Sequence, residues 1–86
     1  MTRDEIDSFV DMAAPGESLY VPDGLDGAFM GVTSHVNPPA AVYSIQKCVD
    51  ILSESMTRDE ALDHVYYNVI GGCPAPSAPI FIDEPN

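Results

Sequence analysis

The chain has 86 residues, of which 45% are hydrophobic, and its 14 acidic side chains against three basic ones give a formal net charge of −11. This length indicates one small domain, and the apolar content is typical of a globular protein rather than a disordered one. The charge disfavours direct binding to nucleic acid or to anionic membranes, and no apolar run reaches the roughly 18 residues of a membrane span.

The first predicted element is a helix over residues 1–14. Thr2 and Glu5 have the spacing of a capping box, in which the threonine hydroxyl accepts from a backbone N–H and the glutamate carboxylate accepts from the threonine's own N–H. Apolar residues follow at helical spacing, namely Ile6, Phe9, Val10 and Ala13. Asp4, Asp7 and Asp11 fall on the face opposite Phe9, and Pro15-Gly16 ends the helix.

Two short strands are predicted over residues 28–43. The first covers Ala28 to Thr33, where Gly31 indicates a bulge or a close approach of the backbone. Residues 37–39, Asn-Pro-Pro, interrupt the run, and the second strand covers Ala40 to Tyr43. The short connection favours an antiparallel hairpin.

A helical hairpin is predicted over residues 44–72. Ser44 is the expected N-cap of its first arm, whose apolar face comprises Ile45, Cys48, Val49 and Leu52. The second arm begins with a capping box formed by Thr57 and Glu60 and is expected to end at Gly71-Gly72. Its predicted apolar face comprises Leu62, Val65, Tyr66 and Val69.

The two capping boxes lie within the same pentapeptide, because Met1–Glu5 and Met56–Glu60 both read Met-Thr-Arg-Asp-Glu. The identity stops after five residues. Convergence on the chemistry of a helix start explains it better than duplication.

Residues 79–82 contain the last apolar run and are predicted to close the sheet as a third strand, with residues 83–86 as a frayed tail. The predicted fold is therefore α+β: a small antiparallel sheet of about three strands, packed against the helical hairpin, with an additional N-terminal helix. Cys48 and Cys73 are expected to be free thiols; a disulfide would require the hairpin exit to fold back along the first arm.

No residue pattern favours catalysis, a metal or a cofactor. The two histidines, His35 and His64, lack a neighbouring nucleophile in any known motif. Acidic residues cluster with His64 over two helical turns, namely Asp59, Glu60 and Asp63, and pairs at these spacings can share a cation. An ordinary charged first turn is the simpler interpretation, and we predict no enzyme activity, metal or cofactor.

The acidic side chains have two interpretations, solubility or attraction of a basic partner. Tyr66 and Tyr67 are adjacent on a helix and cannot both face the core, so one must lie near the surface. Tyr67, outside the apolar face, is the candidate for a protein contact, because tyrosine is enriched among residues that dominate interfaces. The predicted partner-binding residues are Tyr67, Asp59, Glu60, Asp63, Asp4, Asp7 and Asp11.

Five short stretches between about residues 25 and 82 form a recognisable series: Val42-Tyr43-Ser44, Lys47–Leu52, Met56–Ala61, Asn68–Gly72 and Pro79-Ile80-Phe81. With them the chain resembles a group of small acidic proteins encoded by bacteriophages and by bacteria that carry phage genes. In that group a tyrosine-containing strand leads into a Lys-Cys helix, a Glu-Ala helix ends in an Asn-x-x-Gly step, and a Pro-x-Phe strand closes the chain. The resemblance implies a phage context and a fold, without an established activity.

These observations lead to one functional hypothesis and one alternative. The hypothesis is a non-enzymatic phage accessory protein that binds a host or viral protein with a basic surface, and in its narrower form an inhibitor that mimics nucleic acid. The alternative is a small structural or assembly component of a virion. We expect a cytoplasmic protein, in the host cell if phage-encoded, that is monomeric or homodimeric and binds neither nucleic acid nor membrane directly.

Overall fold

A computed structural model of the chain describes residues 1–17, 19–34, 36, 38–70 and 78–85, without the side chains of residues 68–70. Its three helices and three strands confirm the predicted α+β class. The elements in chain order are α1 (Arg3–Ala13), a 3₁₀ turn (Asp26–Ala28), β1 (Phe29–Val32), β2 (Ala41–Ser44), α2 (Ile45–Leu52), α3 (Arg58–His64), a π-helical segment (Val65–Ile70) and β3 (Ile80–Ile82).

The sheet has the order β1-β2-β3 and is mixed. β1 and β2 form the expected antiparallel hairpin, but β3 lies parallel to β2, with Val42 opposite Ile80 and Ser44 opposite Ile82. An all-antiparallel sheet was therefore the wrong expectation for this strand. The connection from β2 to β3 contains both α2 and α3, and such a long crossover can return the chain to the starting end of the sheet, as a parallel strand requires.

The predicted irregularity at Gly31 is a β-bulge. Phe29 pairs with Tyr43 while Gly31 pairs with Val42, so β1 contains one extra residue between these two pairs. Gly31 has φ of +151°, a conformation that residues with a Cβ rarely adopt.

A row of aromatic rings crosses the sheet on its core side. Tyr43 is fully buried, and its ring centroid lies 5.6 Å from that of Phe29 and 5.8 Å from that of Phe81. These three residues occupy one register position on the three strands. Side chains from α2 and from the chain after it complete the core above this row, namely Ile45, Cys48, Val49, Ala61 and Val65.

The helix starts agree with the sequence. Both predicted capping boxes are present, and the Ser44 hydroxyl accepts from the Lys47 N–H at 3.2 Å, as the N-cap of α2. The predicted α2 face is buried at Ile45, Cys48 and Val49.

The apolar faces of the other two helices are rotated from their predicted positions. In α3 and the segment after it, Ala61 and Val65 are buried, whereas Leu62 is 41% and Tyr66 47% exposed. The buried face of α3 therefore begins one residue earlier, at the small alanine. In α1, Ile6 and Val10 are buried as predicted. Phe9 and Ala13, which were also predicted on the buried face, are exposed, and Ala14 is buried instead.

The chain after β3 is attached to α2, contrary to the expectation of a frayed tail. The Gln46 side chain donates to Asp83 Oδ1 at 3.0 Å and accepts from the Glu84 N–H at 2.9 Å. Four features named in the sequence lie outside the described residues: His35, Asn37 of the Asn-Pro-Pro run, the Gly71-Gly72 helix end and Cys73.

Candidate protein-binding surface

One side of α3 and of the π-helical segment after it forms an open depression of about 370 Å³. We call it the α3 face, and its lining residues are Met56, Glu60, Asp63, His64 and Tyr67. The structure thus brings together three of the predicted partner-binding residues, Glu60, Asp63 and Tyr67. Tyr67 is 78% exposed, as its position outside the apolar face predicts.

The capping box fixes where the α3 face begins. The Glu60 N–H donates to Thr57 Oγ1 at 3.2 Å, and the Thr57 hydroxyl donates to Glu60 Oε1 at 2.9 Å. Glu60 therefore has an ordered carboxylate at the first turn, and Asp63 lies three positions later on the same side of the helix. Two carboxylates beside a tyrosine ring can receive a cationic side chain.

The cationic side chains of the protein pair with acids outside the α3 face. Arg3 bonds Asp7 at 3.2 Å and Asp23 at 2.6 Å. The other two pairs are Arg58 with Asp50 at 3.0 Å and Lys47 with Glu84 at 3.9 Å. Among the described residues, no ion pair with lysine or arginine involves Glu60 or Asp63.

The remaining predicted residues lie elsewhere. Asp59 lines a neighbouring groove between α2 and α3. Asp4 lines an open depression on α1 together with Phe9, so the expectation that these two residues lie on opposite faces was wrong for Asp4. Asp7 pairs with Arg3, and Asp11 is exposed. The most extensive contacts of α1 are with β1, whereas α3 packs on α2, so the predicted acids divide between two parts of the molecule.

The groove between α2 and α3 was not predicted. It has a volume of about 210 Å³ and is lined by Ile45, Gln46, Val49, Arg58, Asp59, Leu62, Tyr66 and Asp83. Its apolar lining includes Leu62 and Tyr66, which the sequence assigned to the core. The groove could not be predicted from local sequence, because its lining includes Asp83, which is distant in sequence from α2 and α3. The polar side chain of Gln46 beside the predicted core face was the one local indication of it.

Burial changes the acidity of two core side chains. Burial raises the pKa of the Cys48 thiol from 9.0 to about 11 and also raises the pKa of the Tyr43 hydroxyl. Cys48 is a free, fully buried thiol, so its charged form is disfavoured and the residue acts as a small apolar core side chain.

The described residues include neither a metal-binding cluster nor a helix that could span a membrane. No group of three or more histidine, cysteine, aspartate or glutamate side chains could hold a metal ion. Within the same residues, no helix combines the length and the hydrophobicity that crossing a bilayer requires.

Comparisons of the chain with protein-family models, with curated proteins and with solved structures found no match.

Proposed function

We propose that the chain is a non-enzymatic phage accessory protein that binds a basic segment of a host or viral protein through the α3 face. The observation that carries the proposal is the grouping of Glu60, Asp63 and Tyr67 around one depression that none of the three lysine and arginine side chains lines. The proposed setting is the host cytoplasm, with the protein acting as a monomer or a homodimer.

A lysine or arginine side chain of the partner fits this face. Its charged group would lie between the carboxylates of Glu60 and Asp63, and its aliphatic stem would cover Met56 and the ring of Tyr67. The net charge of −11 would raise the rate at which such a partner arrives and would disfavour acidic competitors.

Affinity capture from infected cells tests the proposal, with the full chain as bait. The test variant carries Glu60→Gln and Asp63→Asn; glutamine keeps the capping function of Glu60. The matched control carries Glu17→Gln and Glu54→Gln, which remove the same amount of charge from exposed positions outside the α3 face. Two exposed charge contacts of about 0.5–1 kcal/mol each predict a roughly 5- to 30-fold weaker interaction for the test variant alone.

Salt dependence distinguishes this binding from apolar adhesion. The captured partner should dissociate as salt rises above about 0.1 M, where the Debye length falls to about 10 Å. A partner held equally by the wild type, the test variant and the control would contradict a role for the α3 face.

The narrower form of the proposal is an inhibitor whose carboxylates replace DNA phosphates on a host nuclease or polymerase. Asp59, Glu60 and Asp63 supply closely spaced negative charges on one helix. In this form the purified protein competes with DNA for the enzyme, and failure to displace DNA from the captured partner would leave only the general form.

A second candidate function, assembly into a virion, is favoured by the exposed side of the sheet. β3 is an edge strand, and alternation along the strands places Ile80 and Ile82 on the side opposite the aromatic row, where they are 40% and 36% exposed. Met30 of β1 is 43% exposed. Mass spectrometry of purified particles separates the two functions, since only an assembly component is present in fixed stoichiometry.

A further inference from the structure

The two helices that begin with the same pentapeptide present equivalent faces. In α1 the Glu5 N–H donates to Thr2 Oγ1 at 3.3 Å and the Thr2 N–H donates to Glu5 Oε1 at 2.8 Å, so this capping box repeats that of Thr57 and Glu60. An open depression of about 440 Å³ lies on α1; we call it the α1 face, and it is lined by Met1, Asp4, Glu5, Ser8, Phe9 and Met12.

The residues of the α3 face each have a counterpart in the α1 face at the same distance from the start of the pentapeptide. The pairs are Met1 with Met56, Glu5 with Glu60, Ser8 with Asp63, Phe9 with His64, and Met12 with Tyr67. Both faces therefore begin with a methionine, continue with the ordered glutamate of a capping box and end with a large exposed side chain. Met12 is 82% exposed and Tyr67 is 78% exposed.

The α1 face combines apolar surface with negative charge. Met1 is 56% and Phe9 40% exposed beside Met12, so large apolar side chains cluster on one side of the helix rather than being scattered. Asp4 lies on the same face, and hydrogen bonds from the Thr2 backbone N–H and then from its hydroxyl hold the pKa of Glu5 below its usual value. The face therefore remains negatively charged at neutral pH.

Packing holds this face toward the solvent. Ile6 and Val10 are buried on the opposite side of α1, and the Phe9 ring meets Phe29 edge to face with centroids 6.0 Å apart. The Arg3 guanidinium bonds Asp23 at 2.6 Å and ties the first turn to the following loop. Rotation of α1 to cover Met12 would break these contacts.

We infer that the α1 face is a second docking surface of the same kind as the α3 face, so that one chain binds two amphipathic basic helical segments. This inference rests on the proposed function. Complementarity of shape and charge defines the binding partner. It is a helix with an apolar stripe that covers Met12 and Phe9 and with lysine or arginine residues opposite Asp4 and Glu5. The helical part of this face, Asp4 to Met12, spans about 12 Å, which corresponds to about two turns of a partner helix.

Two equivalent faces favour a partner that presents the same segment twice, either as a repeat or as a symmetric dimer. Binding of the first segment then raises the effective concentration of the second, and the combined affinity exceeds that of one face by about 10²- to 10⁴-fold where the spacing permits.

Calorimetric titration of the full chain with a synthetic 14-residue helical peptide of leucine and lysine, Leu-Lys-Lys-Leu-Leu-Lys-Leu-Leu-Lys-Lys-Leu-Leu-Lys-Leu, measures the number of docking surfaces. The α1 variant carries Glu5→Gln and Met12→Ser, and the α3 variant carries Glu60→Gln and Tyr67→Ser. The control carries Glu17→Gln and Tyr20→Ser, which remove a like acid and a 40% exposed tyrosine outside both faces. We expect two peptides per chain for the wild type and the control, and one for each face variant.

Any other stoichiometry overturns one or both of the proposed docking surfaces. One peptide per chain, lost only in the α3 variant, overturns the second surface and leaves the proposed function intact. One peptide lost only in the α1 variant overturns the α3 face. No binding, or a stoichiometry that neither face variant changes, overturns both. Glu5→Gln alone, which keeps the capping box, should weaken one of the two sites about 2- to 5-fold and so excludes misfolding as the cause of a lost site.

Discussion

The buried thiol of Cys48 predicts a specific loss of stability in alkali. Burial raises its pKa from 9.0 to about 11, because the thiolate is poorly solvated in the core. The protonated thiol therefore favours the folded state in full below about pH 9, the value for the unfolded chain. This contribution is lost progressively as the pH rises through the folded pKa of about 11.

The size of the effect follows from the two pKa values. One pKa unit corresponds to 1.36 kcal/mol, so the rise from 9.0 to about 11 amounts to about 2–3 kcal/mol when it is fully lost. A domain of this size has a free energy of unfolding of roughly 4–13 kcal/mol, so the change is readily measurable.

Urea denaturation at pH 8, 9, 10 and 11, in the presence of a reductant, measures this loss in the free energy of unfolding. Both proteins compared carry Cys73→Ser, and one also carries Cys48→Ala, so that tyrosine and lysine titrations contribute equally and cancel. At pH 8 the Cys48→Ala variant should be the less stable by about 1–2 kcal/mol, since it loses packed volume. Between pH 8 and pH 11 the protein that keeps Cys48 should lose about 2 kcal/mol of stability relative to the Cys48→Ala variant, so that the difference disappears or changes sign. Parallel stability curves across this range would refute the burial of Cys48.

Three further predictions concern the sheet and the helix starts. Thr57→Ala should cost about 1 kcal/mol and lower the midpoint of thermal unfolding by roughly 4–8 °C, while Thr57→Ser restores most of it, since either hydroxyl can cap α3; equal melting of all three proteins would contradict the capping role. Tyr43→Phe should leave stability unchanged or raise it by up to about 1 kcal/mol in urea denaturation, because its buried hydroxyl has no hydrogen-bond partner among the described residues; a clear loss would show that the hydroxyl has one. Gln46→Ala should speed amide hydrogen exchange at Glu84 but not at Val49, because it removes the acceptor of the Glu84 N–H; unchanged exchange at Glu84 would contradict the attachment of the chain end to α2.

Local chemistry made much of this fold predictable. A capping box requires only Thr-x-x-Glu within one turn, and both such sequences start helices. The bulge at Gly31 was likewise visible as a glycine inside a strand pattern.

The errors involve contacts distant in sequence. The direction of β3 depends on the path of a long connection, and Gln46 meets Asp83 across the chain. The buried face of α3 was predicted at the wrong residues because alanine occurs both in helix contacts and at the surface. Ala61 therefore carried little signal, although it is fully buried while Leu62 is not. The groove beside Leu62 depends on this rotation and was missed with it.

The candidate binding residues also include some that local spacing could group and some that it could not. Helical spacing grouped Glu60 with Asp63, and Tyr67 was predicted separately as an exposed residue. The three share one depression because they lie within about two turns of one chain segment. The position of Met12 on the α1 face was not predicted, since an isolated exposed methionine carries no signal until its neighbours on the helix surface are known.

Chemical-shift mapping by NMR tests the binding claim most directly. The isotope-labelled full chain would be titrated with the same leucine-lysine peptide, and the backbone amide shifts followed residue by residue. We expect shifts concentrated at Glu60, Asp63 and Tyr67, with a second group at Glu5 and Met12. Shifts spread evenly over all acidic residues, Glu17 and Glu54 included, would show that the charge acts only as a diffuse field and would contradict a defined binding face.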